Sequence, residues 1–153
     1  MDKRTQTEPV SLRPSRMMGL DLGEKTIGVA VSDELGWTAQ PHGTLQRGTP
    51  GQDLGALRRL VEELHVSKII VGLPKHMKGT MGSRAREAAA FAEEIGAALQ
   101  VPVVLWDERL STVAANRVLL EADLSRRQRK AQVDKIAAAL ILQSYLDSEG
   151  RHG

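Results

Sequence analysis

The chain contains no cysteine and only four aromatic residues, and each shortage excludes a class of protein. Without cysteine, neither disulfide bonds nor cysteine-ligated zinc sites can form. Two tryptophans, one tyrosine and one phenylalanine are too few for a module that stacks single-stranded RNA on aromatic platforms. If a nucleic acid is the partner, its backbone charge and shape must dominate recognition.

The sequence also lacks any apolar run long enough to cross a membrane. Residues 1–16 are polar, contain two prolines and have no hydrophobic stretch, so we expect a disordered tail and not a signal peptide. Residues 150–153 are expected to form a flexible C-terminus. The lack of cysteine fits a reducing compartment, and we expect a cytoplasmic protein without a membrane partner.

The 153 residues suffice for one compact domain, which we place at residues 17–149. The net charge of +2 comes from the tail, because the remainder holds 17 basic and 17 acidic residues. Binding of a polyanion must therefore depend on local clusters. The clearest cluster is SRRQRKAQ, which contains Arg126, Arg127, Arg129 and Lys130, although such short runs are most often solvated loops.

Hydrophobic periodicity predicts the element order β-β-β-α-β-α-β-α-α. The first two strands, MMGLDL and TIGVAVSD, form a hairpin, and residues 38–45 complete an antiparallel meander. The remaining segments are a helix with Asp53 as N-cap, strand SKIIVGLP, helix 83–99, strand VPVVLW, helix STVAANRVLLEA, the basic loop and a helix over residues 132–147. A meander followed by βα units implies an α/β fold with a mixed sheet covered by helices.

Asp21 interrupts an otherwise apolar strand in the first hairpin. The register that pairs Gly23 with Thr26 collects the large apolar side chains on one face: Leu22 opposite Ile27, Leu20 opposite Val29 and Met18 opposite Val31. On the other face Asp21 lies opposite Gly28, which leaves space before the carboxylate for a ligand or metal. The alternative is an acid that hydrogen-bonds near the strand end and closes the turn.

Two further segments carry candidate acids. Asp107 and Glu108 follow a buried strand, at the carboxyl end where ligands bind in open α/β sheets. Only one of them can share the face of Asp21, and both could instead cap the next helix or pair with Arg109. Asp134 lies on the apolar face in the first turn of the last predicted helix, where the helix N-terminus would by itself favour an acid.

Acids gathered in one place repel one another unless a cation is present. Oxygen ligands with open positions suit Mg²⁺ or Mn²⁺, and such a site can activate water for phosphodiester cleavage. The spacing of the acids along the chain leaves open whether they meet in space.

Four segments, in this order, resemble the YqgF/RuvX family: GLDLGEKTIGVAVSD, IIVGLPKHMKGTMGSRA, DERLST and VDKIAAALILQSYLD. The resemblance extends from Met17 to Leu146. The family is described as Holliday junction resolvases and as nucleases that mature the 5′ end of pre-16S ribosomal RNA. The sequence departs from the family pattern at Glu24, Thr26 and Lys78, where the family commonly has a small hydroxylated residue, a basic residue and an acid, respectively.

The resemblance implies a ribonuclease H-like fold with a five-stranded mixed sheet flanked by helices. It also implies a catalytic and metal-ligating set of Asp21, Glu108 and Asp134, and it favours Glu108 over Asp107. The mechanism so implied is two-metal hydrolysis, in which Asp21 bridges two Mg²⁺ or Mn²⁺ ions and the other two acids each complete one coordination shell.

The predicted nucleic-acid contacts surround this acidic centre. They are Lys75, Lys78 and Arg84 near the loop before the alanine-rich helix, Arg109, and the cluster Arg126, Arg127, Arg129 and Lys130. We expect structured RNA within a ribosome precursor as the substrate and branched DNA as the alternative. Resolution of four-way DNA junctions normally requires a symmetric dimer, and the sequence is compatible with a monomer or a weak homodimer.

Two rival interpretations remain at this point. The opening GLDLGEKTIGVAV is also similar to the phosphate-binding segment of sugar kinases and Hsp70-type ATPases, but those proteins clamp nucleotide between two related domains and this chain has residues for one. The second rival is a non-catalytic RNA-binding factor of ribosome maturation that keeps the acids for folding.

Overall fold

The computed structural model describes residues 15–76, 78–123 and 126–149, with side chains described except at 118 and 120–131. Of the tail predicted over residues 1–16, residues 1–14 lie outside the described residues, as does the predicted flexible end at 150–153, whereas the assignment of Arg16 to the tail is wrong because this residue begins the first strand. The elements are β1 (Arg16–Leu22), β2 (Thr26–Ser32), β3 (Ala39–Gln46), α1 (Pro50–Leu64), β4 (Val66–Leu73), α2 (Ser83–Leu99), β5 (Val103–Asp107), a 3₁₀ turn (Glu108–Leu110), α3 (Val113–Asp123) and α4 (Arg126–Ser148). None of the described helices combines the length and apolarity needed to span a membrane.

The five strands form one mixed sheet in the order β3-β2-β1-β4-β5. Strands β1, β2 and β3 pair antiparallel, while β1, β4 and β5 run parallel to one another. The predicted element order and the mixed α/β sheet are therefore confirmed. Because β1, β4 and β5 are parallel, their carboxyl ends lie along the same edge of the sheet.

The hairpin register predicted from the apolar pattern is confirmed. Leu20 lies opposite Val29 and Asp21 lies opposite Gly28. The turn closes where Gly23 N donates to the carbonyl oxygen of Thr26 at 2.8 Å. Side-chain alternation then places Asp21 on the face opposite to the large apolar residues.

Apolar clusters cover both faces of the sheet. One cluster joins alternate residues of β1, β2 and β4 to α1 and α2, with Leu20, Ile69 and Ile95 at its centre. The other packs α4 onto the opposite face, through Ile70 and Leu142 among others. The acid at position 21 thus faces α4.

Helix α1 begins earlier than predicted. Asp53 is not the N-cap, because the helix starts at Pro50 and Thr49 caps it. The Thr49 hydroxyl accepts from the Gln52 amide, and the Gln52 side chain accepts from the Thr49 amide, which makes a capping box. Asp53 instead accepts from the Gly48 amide at 2.8 Å, so this buried acid stabilises the loop before the helix.

The last helix also begins earlier than predicted, which changes the position of Asp134. The predicted basic loop over residues 126–130 is the start of α4, and the helix extends to Ser148. The segment contains no glycine or proline, and Arg, Gln, Lys and Ala all favour helix, so the helix continues through it. Asp134 therefore lies in the third turn, too far from the N-terminus for the helix dipole to account for it.

Candidate active site

Asp21 is the central acid of the site. Its side chain is only 3% exposed, and it leaves β1 toward α4 near the carboxyl end of the strand. The turn beyond it closes through backbone atoms of Gly23 and Thr26. The alternative in which Asp21 closes the turn is thus not what the structure shows.

The space directly over Gly28 is filled by the backbone of α4, and metal binding by the neighbouring Asp21 stays a prediction. A Cβ atom at Gly28 would overlap the carbonyl oxygen of Asp134. At Gly19 it would lie 2.8 Å from Leu142 Cβ and 2.9 Å from the carbonyl oxygen of Ala138. The small residues on this face therefore let the α4 backbone approach the sheet, which brings Asp134 to the end of β1 that carries Asp21.

Asp134 is held by the hairpin. The Thr26 hydroxyl donates a hydrogen bond to Asp134 Oδ2, over a separation of 108 residues. A Cβ at Gly23 would lie 2.9 Å from the same oxygen, so the carboxylate lies directly over the turn. The Thr26 hydroxyl thus orients one candidate acid.

Glu108 reaches the site across β4. This strand lies between β1 and β5, so acids at the ends of β1 and β5 are separated by two strand spacings, about 10 Å. A Cβ at Gly72 of β4 would lie 2.9 Å from Glu108 Oε2, which shows that the Glu108 carboxylate lies over the glycine. The lack of a side chain at Gly72 gives Glu108 its path toward Asp21.

Asp107 points elsewhere. Its carboxylate accepts from the Arg109 amide and from Nε and Nη2 of the Arg109 side chain, at 2.6 to 3.1 Å. The side-chain hydrogen bonds from Arg109 lower the pKa of Asp107 below its usual value. Of the two adjacent acids, Glu108 lies against Asp21, whereas Asp107 pairs with Arg109.

Arg117 is a site residue that the sequence did not indicate. It extends from α3, and its Nη2 lies 2.9 Å from Asp21 Oδ1 over a separation of 96 residues. Its position in STVAANRVLLEA carries no motif, and a lone arginine in an amphipathic helix is typical of a solvated face. Only the docking of α3 beside α4 reveals the contact.

Electrostatics show that the acids act on one another. Burial raises the pKa of Asp21 to about 7; Arg117 opposes the shift, while Glu108 and Asp134 add to it. Burial also raises the pKa of Glu108, against the effects of Arg117, Arg84 and a hydrogen bond with Asp21. Burial favours the neutral form of Arg117, but the three carboxylates outweigh it and raise the pKa of that guanidinium. At Asp21 and Glu108 the effect of burial on the pKa thus exceeds the opposing effect of Arg117.

The three carboxylates suit a divalent cation, although in this structure their side chains are not yet arranged around an ion. Three carboxylates from β1, the 3₁₀ turn and α4 supply the hard oxygen ligands that Mg²⁺ and Mn²⁺ prefer. Within residues 15–149, leaving out the undescribed positions, no group of three or more His, Cys, Asp or Glu side chains is already close enough to hold an ion. The Arg117 guanidinium pairs with Asp21, the acid on which the other two act.

The residues predicted to contact phosphate differ in how much the structure says about their relation to the acids. Arg84 acts electrostatically on Asp21 and Glu108, and its Nη2 lies 3.4 Å from the Leu22 carbonyl oxygen. Lys78 is exposed and Lys75 is half-buried in the loop after β4. The side chains of Arg126, Arg127, Arg129 and Lys130 are outside the described set.

The fold and site together define a ribonuclease H-like α/β protein with a buried carboxylate cluster. The same fold occurs in the Thermus thermophilus RuvC structure described as in complex with a Holliday junction substrate, at a TM-score of 0.57 and 14% identity. That match covers 88% of this chain and 96% of the RuvC chain. The predicted ribonuclease H-like fold is confirmed.

The chain belongs to the family described as "RuvX: Holliday junction resolvase", whose profile matches residues 15–148. A relative from Syntrophomonas wolfei is 58% identical over 132 residues, which cover 86% of this chain and 94% of the relative. One from Moorella thermoacetica is 54% identical, over 90% of this chain and 99% of the relative. Both are named "Putative pre-16S rRNA nuclease". The resemblance seen in the sequence is confirmed, and it places the chain among nucleases.

Proposed function

We propose that this protein is a metal-dependent nuclease that hydrolyses phosphodiester bonds in structured RNA and matures the 5′ end of pre-16S rRNA. One observation carries the proposal: three acids far apart in sequence converge at the carboxyl edge of the sheet, around an Asp21 side chain that is 3% exposed. The substrate follows the names of the curated relatives.

Asp21, Glu108 and Asp134 would hold Mg²⁺ or Mn²⁺. When bound, the metal activates water and neutralises the negative charge that develops at phosphorus. Thr26 orients the Asp134 carboxylate by its hydrogen bond, and Gly72 leaves the Glu108 carboxylate room to reach the site. A water oxygen forms the new bond to phosphorus while the bond to the leaving oxygen breaks.

Basic side chains around the carboxylates would bind the phosphodiester backbone. Arg84 is placed best for this role, because it already acts electrostatically on two of the acids. Lys75 and Lys78 extend the positive charge along the loop after β4, and Arg109 lies close to the same loop, 3.3 Å from a Cβ built on Gly79. Backbone contacts of this kind bind RNA and DNA alike, so they do not choose the substrate.

The test is a cleavage panel. Precursor 16S RNA, single-stranded RNA and a four-way DNA junction are each incubated with Mg²⁺, Mn²⁺ or EDTA. We expect metal-dependent cleavage of the precursor by the wild type and none by Asp21→Asn. Asp53→Asn is the matched control, since Asp53 is also a buried acid but stabilises a loop. Full activity of Asp21→Asn would overturn the proposed mechanism.

Four-way DNA junctions are the second candidate substrate, favoured by the description of the family. Symmetric cleavage of a junction requires two active sites related by a two-fold axis. Preferential cleavage of the junction in the panel, with a dimer seen by sedimentation, would favour this substrate over the RNA precursor. Binding without cleavage in every metal would instead favour the RNA-binding factor.

A further inference from the structure

The ion pair between Arg117 and Asp21 is of a kind that another cation can replace. A single distance of 2.9 Å joins Nη2 to Asp21 Oδ1. The Arg117 Nε is buried and has no hydrogen-bond partner among the described atoms. By contrast, Arg109 directs both Nε and Nη2 at Asp107. Arginine anchors a carboxylate most strongly through such a two-pronged contact, and Arg117 does not make one with Asp21.

The surroundings of Arg117 explain why a cation is held there. Asp21, Glu108 and Asp134 all act on this guanidinium, and its ion-pair partner is almost fully buried. A buried carboxylate without a counter-ion is strongly unfavourable. The Arg117 side chain is itself 27% exposed, so it has a route from the site toward solvent.

We propose that Arg117 is the built-in counter-ion of the metal-free site and that it leaves Asp21 when a divalent cation binds, so that metal binding is an exchange of one cation for another. The inference rests on the proposed function, because it takes the same three acids as the metal ligands. Helix α3 contributes none of those ligands, but through Arg117 it would control how tightly the metal is held.

A change in metal affinity follows directly. In the wild type the incoming ion must displace a positive charge that already neutralises Asp21. Removal of that charge should make Mn²⁺ binding at least tenfold tighter, which corresponds to about 1.4 kcal/mol. An arginine that served only to hold α3 in place would have the opposite effect, since its loss would loosen the site.

The first experiment is calorimetric titration of the full chain with Mn²⁺ at pH 8.5, where protons compete little with the metal. We expect Arg117→Gln to bind Mn²⁺ at least tenfold more tightly than the wild type, and Arg117→Lys, which keeps the charge, to stay within about threefold of it. Arg59→Gln, an exposed arginine on α1, is the matched control and should not change the affinity. Equal or weaker binding by Arg117→Gln would overturn the inference.

The second experiment follows the wild type during metal binding, and a variant serves only to assign one resonance. The ¹⁵N resonance of the Arg117 Nε is identified by its disappearance in Arg117→Lys and followed during titration with Mg²⁺. We expect it to shift until the site is saturated. If it stays unchanged while the wild type binds metal, Arg117 remains on Asp21 and the inference is wrong.

The two claims can fail separately. If neither metal binds the wild type, the metal-dependent function fails, and this inference with it. If metal binds and Asp21→Asn abolishes binding, but Arg117→Gln does not tighten it, only the exchange fails.

Discussion

Asp107 and Glu108 are adjacent acids with different surroundings. The chain turns into a 3₁₀ helix between them, so Asp107 stays beside Arg109 while Glu108 points over Gly72 to the carboxylate cluster. Strand alternation predicts that only one of the two shares the face of Asp21. It could not say which, because the turn that orients Glu108 depends on packing against β4 and not on the local pattern.

This difference predicts opposite results for two similar substitutions. Glu108→Gln should reduce cleavage by about 100-fold or more, because it removes a charged candidate ligand. Asp107→Asn should retain cleavage within a few-fold, because Asp107 contacts Arg109 and not the cluster. Single-turnover rates at saturating Mg²⁺ measure both. Comparable losses in the two variants would mean that Asp107 also holds the metal.

The hydroxyl at Thr26 gives a second prediction at this scale. Thr26→Val removes the hydrogen bond to Asp134 at nearly constant volume, and we expect Mn²⁺ affinity to fall about tenfold, as is typical when a group that orients a ligand is lost. Thr26→Ser keeps a hydroxyl and should restore most of the affinity. Calorimetry gives the affinity, and unchanged binding by the valine variant would show that Asp134 needs no such support.

At the scale of elements, the close contact between α4 and the hairpin determines where Asp134 lies. Glycines at 19 and 28 remove the side chains that would hold the helix away from β1 and β2. In the sequence these glycines indicate a face with space in it. They cannot indicate whether a ligand or a helix takes that space, because the partner is more than 100 residues away along the chain.

Addition of one methyl group tests this packing. Gly28→Ala would bring Cβ into the α4 backbone at Asp134, so we expect a loss of about 3 kcal/mol in the free energy of unfolding. Gly43→Ala in β3 is the matched control, because nothing lies within 4 Å of its added Cβ. Urea denaturation measures both variants. Equal stability of the two would contradict the close approach of α4.

At the scale of the whole molecule, charge is distributed so that binding depends on local groups. Excluding the first 16 residues, acidic and basic residues are equal in number, so no general positive field attracts a polyanion. Arg84 acts on the acids from α2, while Lys75 and Lys78 lie on the loop after β4. We propose that these residues supply the positive charge that binds phosphate.

Salt dependence measures how many of these residues contact phosphates. The triple variant Lys75→Gln, Lys78→Gln, Arg84→Gln should reduce the slope of log affinity against log salt by about 2 to 3 for a structured RNA. Arg59→Gln on α1 should leave the slope unchanged. Filter binding in EDTA between low and moderate salt measures it without cleavage. An unaltered slope in the triple variant would mean that the backbone is held elsewhere.

The sequence by itself determined the local structure of this protein: the hairpin register, the element order and the ends of α2 at residues 83 and 99. Each follows from alternation, helical spacing or turn chemistry within a few residues. Tertiary structure alone decided that α4 fills the space at Gly28 and that Arg117 reaches Asp21. The physical reason is that burial, close packing and ion pairing join residues about 100 positions apart. No local pattern indicates which distant side chain will make the contact.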